Sequence, residues 1–98
     1  MARFDVYPGM KGKGYLLDCQ ADILDTLSTR VVVPLHPVKG LPVTSRLNPI
    51  FEVEGVQCLM MTHHIFASPQ QRLCRPVANL SEEHAVIMNA LDLLLTGI

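Results

Sequence analysis

Tryptophan is absent from this chain and aromatic residues make up only 5% of it, so a core here has to rest on Leu, Val, Ile and Met. No two cysteines stand in a CxxC pattern and none in CxxH; the three present, Cys19, Cys58 and Cys74, are an odd number. They read as reduced thiols of a cytosolic protein, each a small apolar side chain. A zinc site is disfavoured, because Cys58 and the His63-His64 pair would need further ligands from distant segments. Positive charge is not in excess either: the net charge is −1, which argues against general nucleic-acid binding, since that relies on neutralising several phosphates. No apolar run approaches the ~18 residues of a membrane span. The start, Met1-Ala2-Arg3-Phe4-Asp5, lacks the apolar stretch of a signal peptide, so a cytoplasmic protein without a membrane partner is expected. There is no internal repeat. With 98 residues, 49% of them hydrophobic, the expectation is a single domain spanning residues 1–98 around one core.

The most informative stretch runs from Leu80 to Ile98. Ser81 is a good helix N-cap, and Glu82 and Glu83 put negative charge in the first turn, where the helix dipole favours it. No Pro or Gly follows until Gly97. At 100° per residue, Ile87, Met88, Leu91, Leu94, Leu95 and Ile98 share one face, while Glu82, Ala85, Asn89, Asp92 and Thr96 share the other. With Val86 and Leu93 flanking it, the apolar face exceeds the ~100° stripe that packing on one sheet requires. The surplus points to a second surface, such as a symmetry mate. All eight Lys and Arg residues lie at or before Arg75, so this helix cannot track a phosphate backbone. The chain also finishes Thr96-Gly97-Ile98, an apolar end that is expected to be buried or used rather than frayed.

Upstream, the pattern is one of short strands. Phe4 to Tyr7 alternates, with Phe4 and Val6 on one face. Pro8 to Gly14, with Gly9, Gly12 and Gly14 around Lys11 and Lys13, reads as a basic hairpin loop rather than a phosphate cradle, because no GxxxxGK[ST] is present and no helix follows. Tyr15 to Cys19 resumes as strand. Asp22-Ile23-Leu24-Asp25-Thr26 is a turn in which Asp22 and Asp25 serve as turn or cap residues in preference to an acid–base pair. Ile23 and Leu24, an apolar pair in a polar turn, are candidates for contact with a partner. Arg30 to Leu35 is the most β-prone segment and its valines can be buried on both faces. Pro34 implies that this strand lies at an edge or ends there. His36 to Pro49, with Pro37, Gly40, Pro42 and Pro49, is a long irregular connection in which Arg46 is the only strong base besides Lys39. Ile50–Val53, Glu54-Gly55 and 56–62 form a second hairpin. His63-His64 follow, pointing to opposite faces of an extended chain and exposed or structural rather than catalytic. Ala67 to Gln71 reads as a turn around Pro69, and Arg72 to Val77 as a last short strand. Five or six strands and one C-terminal helix make a mostly β fold, a small antiparallel barrel or curved sheet capped by the helix.

Three groups of residues together resemble the CcdB family of plasmid and chromosomal toxins: Phe4-Asp5-Val6-Tyr7; Asp18 to Thr26 (DCQADILDT) continuing through Arg30-Val31-Val32-Val33-Pro34-Leu35; and Met60-Met61-Thr62 with Val77-Ala78-Asn79-Leu80-Ser81 and the final Gly97-Ile98. The match runs from end to end, with length differences in the loops at 8–14 and 38–49. It implies an SH3-like β-barrel with a small extra sheet and a C-terminal helix, assembled as a homodimer. It also implies a toxin that binds the DNA gyrase A subunit, traps the enzyme–DNA cleavage complex and is neutralised by a CcdA-like antitoxin. No cofactor, metal or catalytic residue is implied. Carried over residue by residue, the gyrase contacts fall on Gly97, Ile98 and Ile23, on Leu24 in place of Ile, on Asp92 in place of Asn, on Leu95 in place of Phe and on Thr96 in place of Trp. Because a Trp hot spot is often worth over ~2 kcal/mol, Thr96 is the departure that bears most on potency.

Two other functions fit the composition. An endoribonuclease, the activity of other toxins with this barrel, would draw its base, acid and cation from Arg30, Arg46, His36, His63, Asp22 and Asp25, although no spacing ties them together. An inactive relative would bind gyrase or antitoxin without poisoning.

Overall fold

A computed structural model of the chain describes residues 2–9, 12–40 and 43–98; Lys11 of the basic loop and Pro42 of the long connection lie outside the described residues. Among these, seven strands precede one helix: β1 (Asp5–Pro8), β2 (Tyr15–Asp18), β3 (Thr29–Pro37), β4 (Ile50–Val53), β5 (Val56–Met60), β6 (Phe66–Pro69), β7 (Ala78–Asn79) and α1 (His84–Thr96). All pairings are antiparallel, in the order β4-β5-β3-β2-β1-β7 with β6 also on β3. The sheet curls into a nearly closed barrel with the helix against it, which fits the expected SH3-like fold.

The hairpins follow from local chemistry. Gly9 donates its N–H to Gly14 across the 8–14 loop at 2.9 Å, and an added Cβ on Gly9 would lie 2.1 Å from the Lys13 carbonyl oxygen, so only glycine fits there. Glu54 and Gly55 both take positive φ, 51° and 78°, the conformation that a two-residue hairpin turn requires. Alternation along the strands then separates two apolar faces. The cross-strand row Val6, Leu17, Val33 enters the larger cluster, with Phe51, Val53, Met60 and the helix residues Ile87, Ala90 and Leu91. Tyr7, Leu16 and Val32, one residue out of phase, join Leu73 in a smaller cluster on the opposite face. The valines of β3 are therefore buried on both sides, as their continuous run implies.

Four local expectations are corrected. Pro34 neither ends β3 nor places it at an edge, because the strand continues to Pro37 between partners on both sides. On the edge facing away from β2, β6 pairs with Thr29 to Val32 and β5 takes over from Leu35. Pro34 falls in the handover: its carbonyl accepts the Met61 N–H at 2.9 Å, and the N–H it lacks has no ladder acceptor waiting. The segment around Pro69 is not a turn but β6, formed because the first half of β3 needs a partner; the turn follows as a 3-10 turn at Gln70–Arg72. Residues 72–77 are not a strand, since only Ala78–Asn79 pairs with β1. His63 and His64 sit in a 3-10 turn, not an extended chain, with ring centroids 4.3 Å apart and both side chains exposed. Cys74, unlike Cys19 and Cys58, is also exposed.

On the smaller face, Asp18 and Arg30 form an ion pair at 2.8 Å in which both side chains are fully buried. Arg30 Nε donates to Asp18 Oδ2, while the opposite oxygen accepts the Gln20 N–H at 3.1 Å. Burial pushes the Asp18 carboxyl above its ordinary value, outweighing the guanidinium beside it. Burial, followed by the charges of Asp5 and Asp18, also pushes the Tyr7 phenol up to about 12. Removing one member leaves a stranded charge, which costs more than the pair contributes. Asp18→Ala is therefore expected to lose about 3–5 kcal/mol in urea unfolding, whereas the double variant Asp18→Leu/Arg30→Met returns to wild-type stability or above.

Candidate functional site

The apolar pair of the polar turn is presented by a rigid support. Asp22–Leu24 is a 3-10 turn, closed by Leu24 N–H to Ala21 O at 3.0 Å and Asp25 N–H to Asp22 O at 3.1 Å. Buried Gln20 fixes it from below: its amide nitrogen donates to Leu24 O at 2.8 Å and its amide oxygen accepts the Val31 N–H at 3.1 Å. Asp22 fixes it from the side by accepting the Arg3 N–H at 2.8 Å, so this carboxylate has a structural task. With the backbone satisfied, Ile23 is left 88% exposed, and Leu24 and Leu27 are close to half exposed.

The second support is α1. The polar face read from the sequence is exposed throughout, from Glu82 to Thr96, while Ile87, Ala90 and Leu91 are buried and Met88, Leu93 and Leu94 partly so. Leu95 does not join the buried face; it is 72% exposed. The start of the helix is also corrected. Ser81–Glu83 form a 3-10 turn ahead of His84, and no Ser81 side-chain cap is made. Asn79 takes that role, its Oδ1 accepting the Ser81 N–H at 2.8 Å. At the far end, Gly97 adopts φ 75° and donates its N–H to Leu93 O at 3.0 Å, a left-handed cap that glycine enters without Cβ strain. Thr96 folds its hydroxyl back onto Asp92 O at 2.6 Å. Ile98 stands 78% exposed, with its main-chain oxygen bonded by the Arg46 guanidinium.

Turn and helix form the two walls of one groove of about 420 Å³. Leu24 and Leu27 line it on one side and Met88, Leu91, Asp92 and Leu95 on the other, with Cys19, Val31 and Ile65 between. Arg3 lines it as well: its guanidinium lies 4.9 Å from the Phe4 ring centroid and 3.2 Å from the Met88 sulfur. Three residues proposed from the sequence, Leu24, Asp92 and Leu95, thus meet in one concavity although Leu24 stands about 70 positions from the other two. Ile23, Thr96, Gly97 and Ile98 do not line it; Ile23 lies in the turn, Thr96 is the last residue of the helix, and Gly97 and Ile98 stand beyond its end.

The residues considered for RNA cleavage are not assembled in this way. Arg30 is fully buried against Asp18, out of reach of a phosphate. Asp22 is held by Arg3 and Arg46 by Ile98. His63 faces the Asn48 amide at 3.4 Å, and His36 and Asp25 are exposed on separate elements. Among the described residues, no group of three or more His, Cys, Asp or Glu is placed to hold a metal ion, and no helix is long and apolar enough to cross a membrane.

Residues 3–97 match the model of the CcdB protein family. The chain belongs to the CcdB family. It is by that membership a toxin of a toxin–antitoxin system. The matched span includes both walls of the groove.

Sequence reasoning missed three residues of this CcdB surface. Leu27 was legible by the criterion that singled out Ile23 and Leu24, an apolar side chain in a polar turn. Arg3 and Arg46 were not, because each meets its partner only through the fold, Arg3 at Met88 and Arg46 at Ile98. The groove also bears on thiol chemistry. Burial, with Asp18 adding to it, pushes the Cys19 thiol up to about 12 despite nearby Arg3, and Cys58 is raised by burial as well. Since the thiolate is the reactive form, alkylation of the native protein at pH 8 is expected to label Cys74 alone. Cys19 and Cys58 should react only after denaturation, which peptide mass spectrometry would show.

Proposed function

We propose that this protein poisons DNA gyrase: it binds the gyrase A subunit through the outer end of α1 and the adjacent turn, traps the enzyme–DNA cleavage complex, and makes or breaks no bonds itself. The observation that carries the reading is the clustering of exposed apolar side chains. Ile23, Leu24, Leu27, Leu95 and Ile98 account for half of the ten large hydrophobics that stand exposed among the described residues, and all come from the two segments that flank the groove or from the tip beyond it. Exposed apolar side chains concentrated in this way mark a protein contact. Its support is rigid, which lowers the ordering cost of binding.

The active species in this reading is a homodimer that displays the tip twice across a two-fold axis. Such an arrangement suits a two-fold symmetric partner and explains why the apolar face of α1 is wider than its own sheet needs. A CcdA-like antitoxin neutralises the toxin, and both act in the cytoplasm. The proposed gyrase contacts are Gly97, Ile98, Thr96, Ile23, Leu24, Asp92 and Leu95.

Expression is expected to arrest growth, and a gyrase allele altered in the toxin-binding region should restore it. Deleting Gly97-Ile98 should abolish toxicity and leave the melting temperature within a few degrees, because both residues are exposed. A truncated protein that stays folded and fully toxic overturns the assignment, as does purified protein that cuts RNA while leaving gyrase-mediated DNA cleavage unchanged. Thr96 supplies a graded test. Its hydroxyl is spent on its own helix, so it offers a partner little. Thr96→Trp is expected to tighten gyrase binding at least about tenfold, the scale of a restored hot spot, as read by titration against the isolated A subunit.

A further inference from the structure

Ile98 is held in place by a residue from outside its own helix. Gly97 turns the chain out of α1 at φ 75°, and the Thr96 hydroxyl returns to Asp92. Beyond the Gly97 N–H bond to Leu93, the helix gives Ile98 no anchor among the described contacts. The anchor comes from residues 43–49, where the Arg46 guanidinium donates to the Ile98 main-chain oxygen. Fifty-two positions separate the two residues.

The arm that carries Arg46 is fixed to the barrel on its far side. Asn48 donates from its side-chain amide to Met60 O at 2.9 Å, and the buried Thr62 hydroxyl donates to Leu47 O. Ser45 and Asn48 close the turn between them, Asn48 N–H to Ser45 Oγ at 3.1 Å and Ser45 N–H to Asn48 O at 3.3 Å. Arg46 therefore projects from a turn stapled to the end of β5. Between this turn and α1 lies an open cleft of about 540 Å³, lined by Arg46, Pro49, Val86 and Asn89. The Arg46–Ile98 bond ties the two sides together where packing leaves space. Ile98 itself is exposed, so little else in its own chain orders it.

We propose that Arg46 is a positioning residue for the partner-binding tip: its guanidinium clamps the Ile98 main-chain oxygen and holds Gly97-Ile98 in the conformation that a partner receives. The proposal rests on reading that tip as the gyrase contact. Its physical basis is entropic. An unclamped tip has to be ordered at the moment of binding, and ordering one residue's backbone weakens association by roughly 5- to 30-fold. Arginine suits the task better than lysine, because its planar fork keeps donors aimed at one oxygen while the rest of the group faces solvent.

The test uses the full chain with Arg46→Ala and Arg46→Lys, reading ¹⁵N order parameters of Gly97 and Ile98, the melting temperature, and affinity for the isolated gyrase A subunit. In Arg46→Ala the tip order parameters should fall below about 0.6, the range of flexible backbone, at an unchanged melting temperature. Gyrase affinity should drop roughly 5- to 30-fold, and Arg46→Lys should recover part of both losses. A tip that stays ordered without Arg46 overturns the clamp. So does a tip that loosens while affinity holds, because positioning would then not matter to binding. Should the wild-type protein fail to bind gyrase at all, the gyrase reading falls, whereas the relaxation data on the two variants still decide the clamp.

Discussion

Main-chain hydrogen bonding along β3 is the constraint on which the rest of this structure depends. A single strand serves β2 along one edge and, along the other, first β6 and then β5. A buried strand cannot leave its N–H and C=O groups unpaired, so two short partners placed end to end must share one edge with no gap. Pro34 stands where one partner hands over to the other. The residue least able to contribute to a ladder occupies the position where the ladder demands least. From this junction the β4–β5 hairpin leaves in one direction and the β1–β2 hairpin lies against the opposite edge. The barrel, the helix packed on it and the groove between helix and turn all inherit their placement from that arrangement.

Legibility of the sequence varied with the distance over which each feature is decided. Val31-Val32-Val33 reads correctly because continuous β-branched residues require burial on both faces, and Val32 and Val33 do fall in different clusters. The Glu54-Gly55 turn and the Gly9–Gly14 loop are local chemistry and are equally plain. Phe66–Pro69 hides its strand, since two prolines nearby and only four residues give no periodicity; the first half of β3 recruits it from more than thirty positions away. Ser81 carries the right cap chemistry but loses the role to Asn79, two residues earlier. His63-His64 fall in a 3-10 turn, where the alternation of an extended chain does not apply. As to the surface, Ile23 and Leu24 stand out from pattern alone, whereas pattern sets Leu95 on the apolar helix face and only the family resemblance marks it as a contact. Arg46 could not, because nothing in its neighbourhood announces that residue 98 will arrive beside it.

Polar groups divide their labour between holding the fold and facing solvent. Three of the charged groups weighed for chemistry are occupied by structure, Arg30 by Asp18, Asp22 by the Arg3 backbone and Arg46 by Ile98, while His36 and Asp25 are exposed on separate elements. The buried ion pair contributes less to stability than its geometry implies, because desolvation of both groups offsets their attraction; it links β2 to β3 beneath the turn that Gln20 supports.

The pairing of β1 with β7 joins Asp5 to Asn79 and Val6 to Ala78, and Leu80 donates its N–H to Phe4 O at 2.9 Å. Residues made first in synthesis therefore wait for those made more than seventy positions later before the sheet can close. Contacts of such long sequence separation slow folding, and a nascent chain still short of residue 80 has no route to the native barrel.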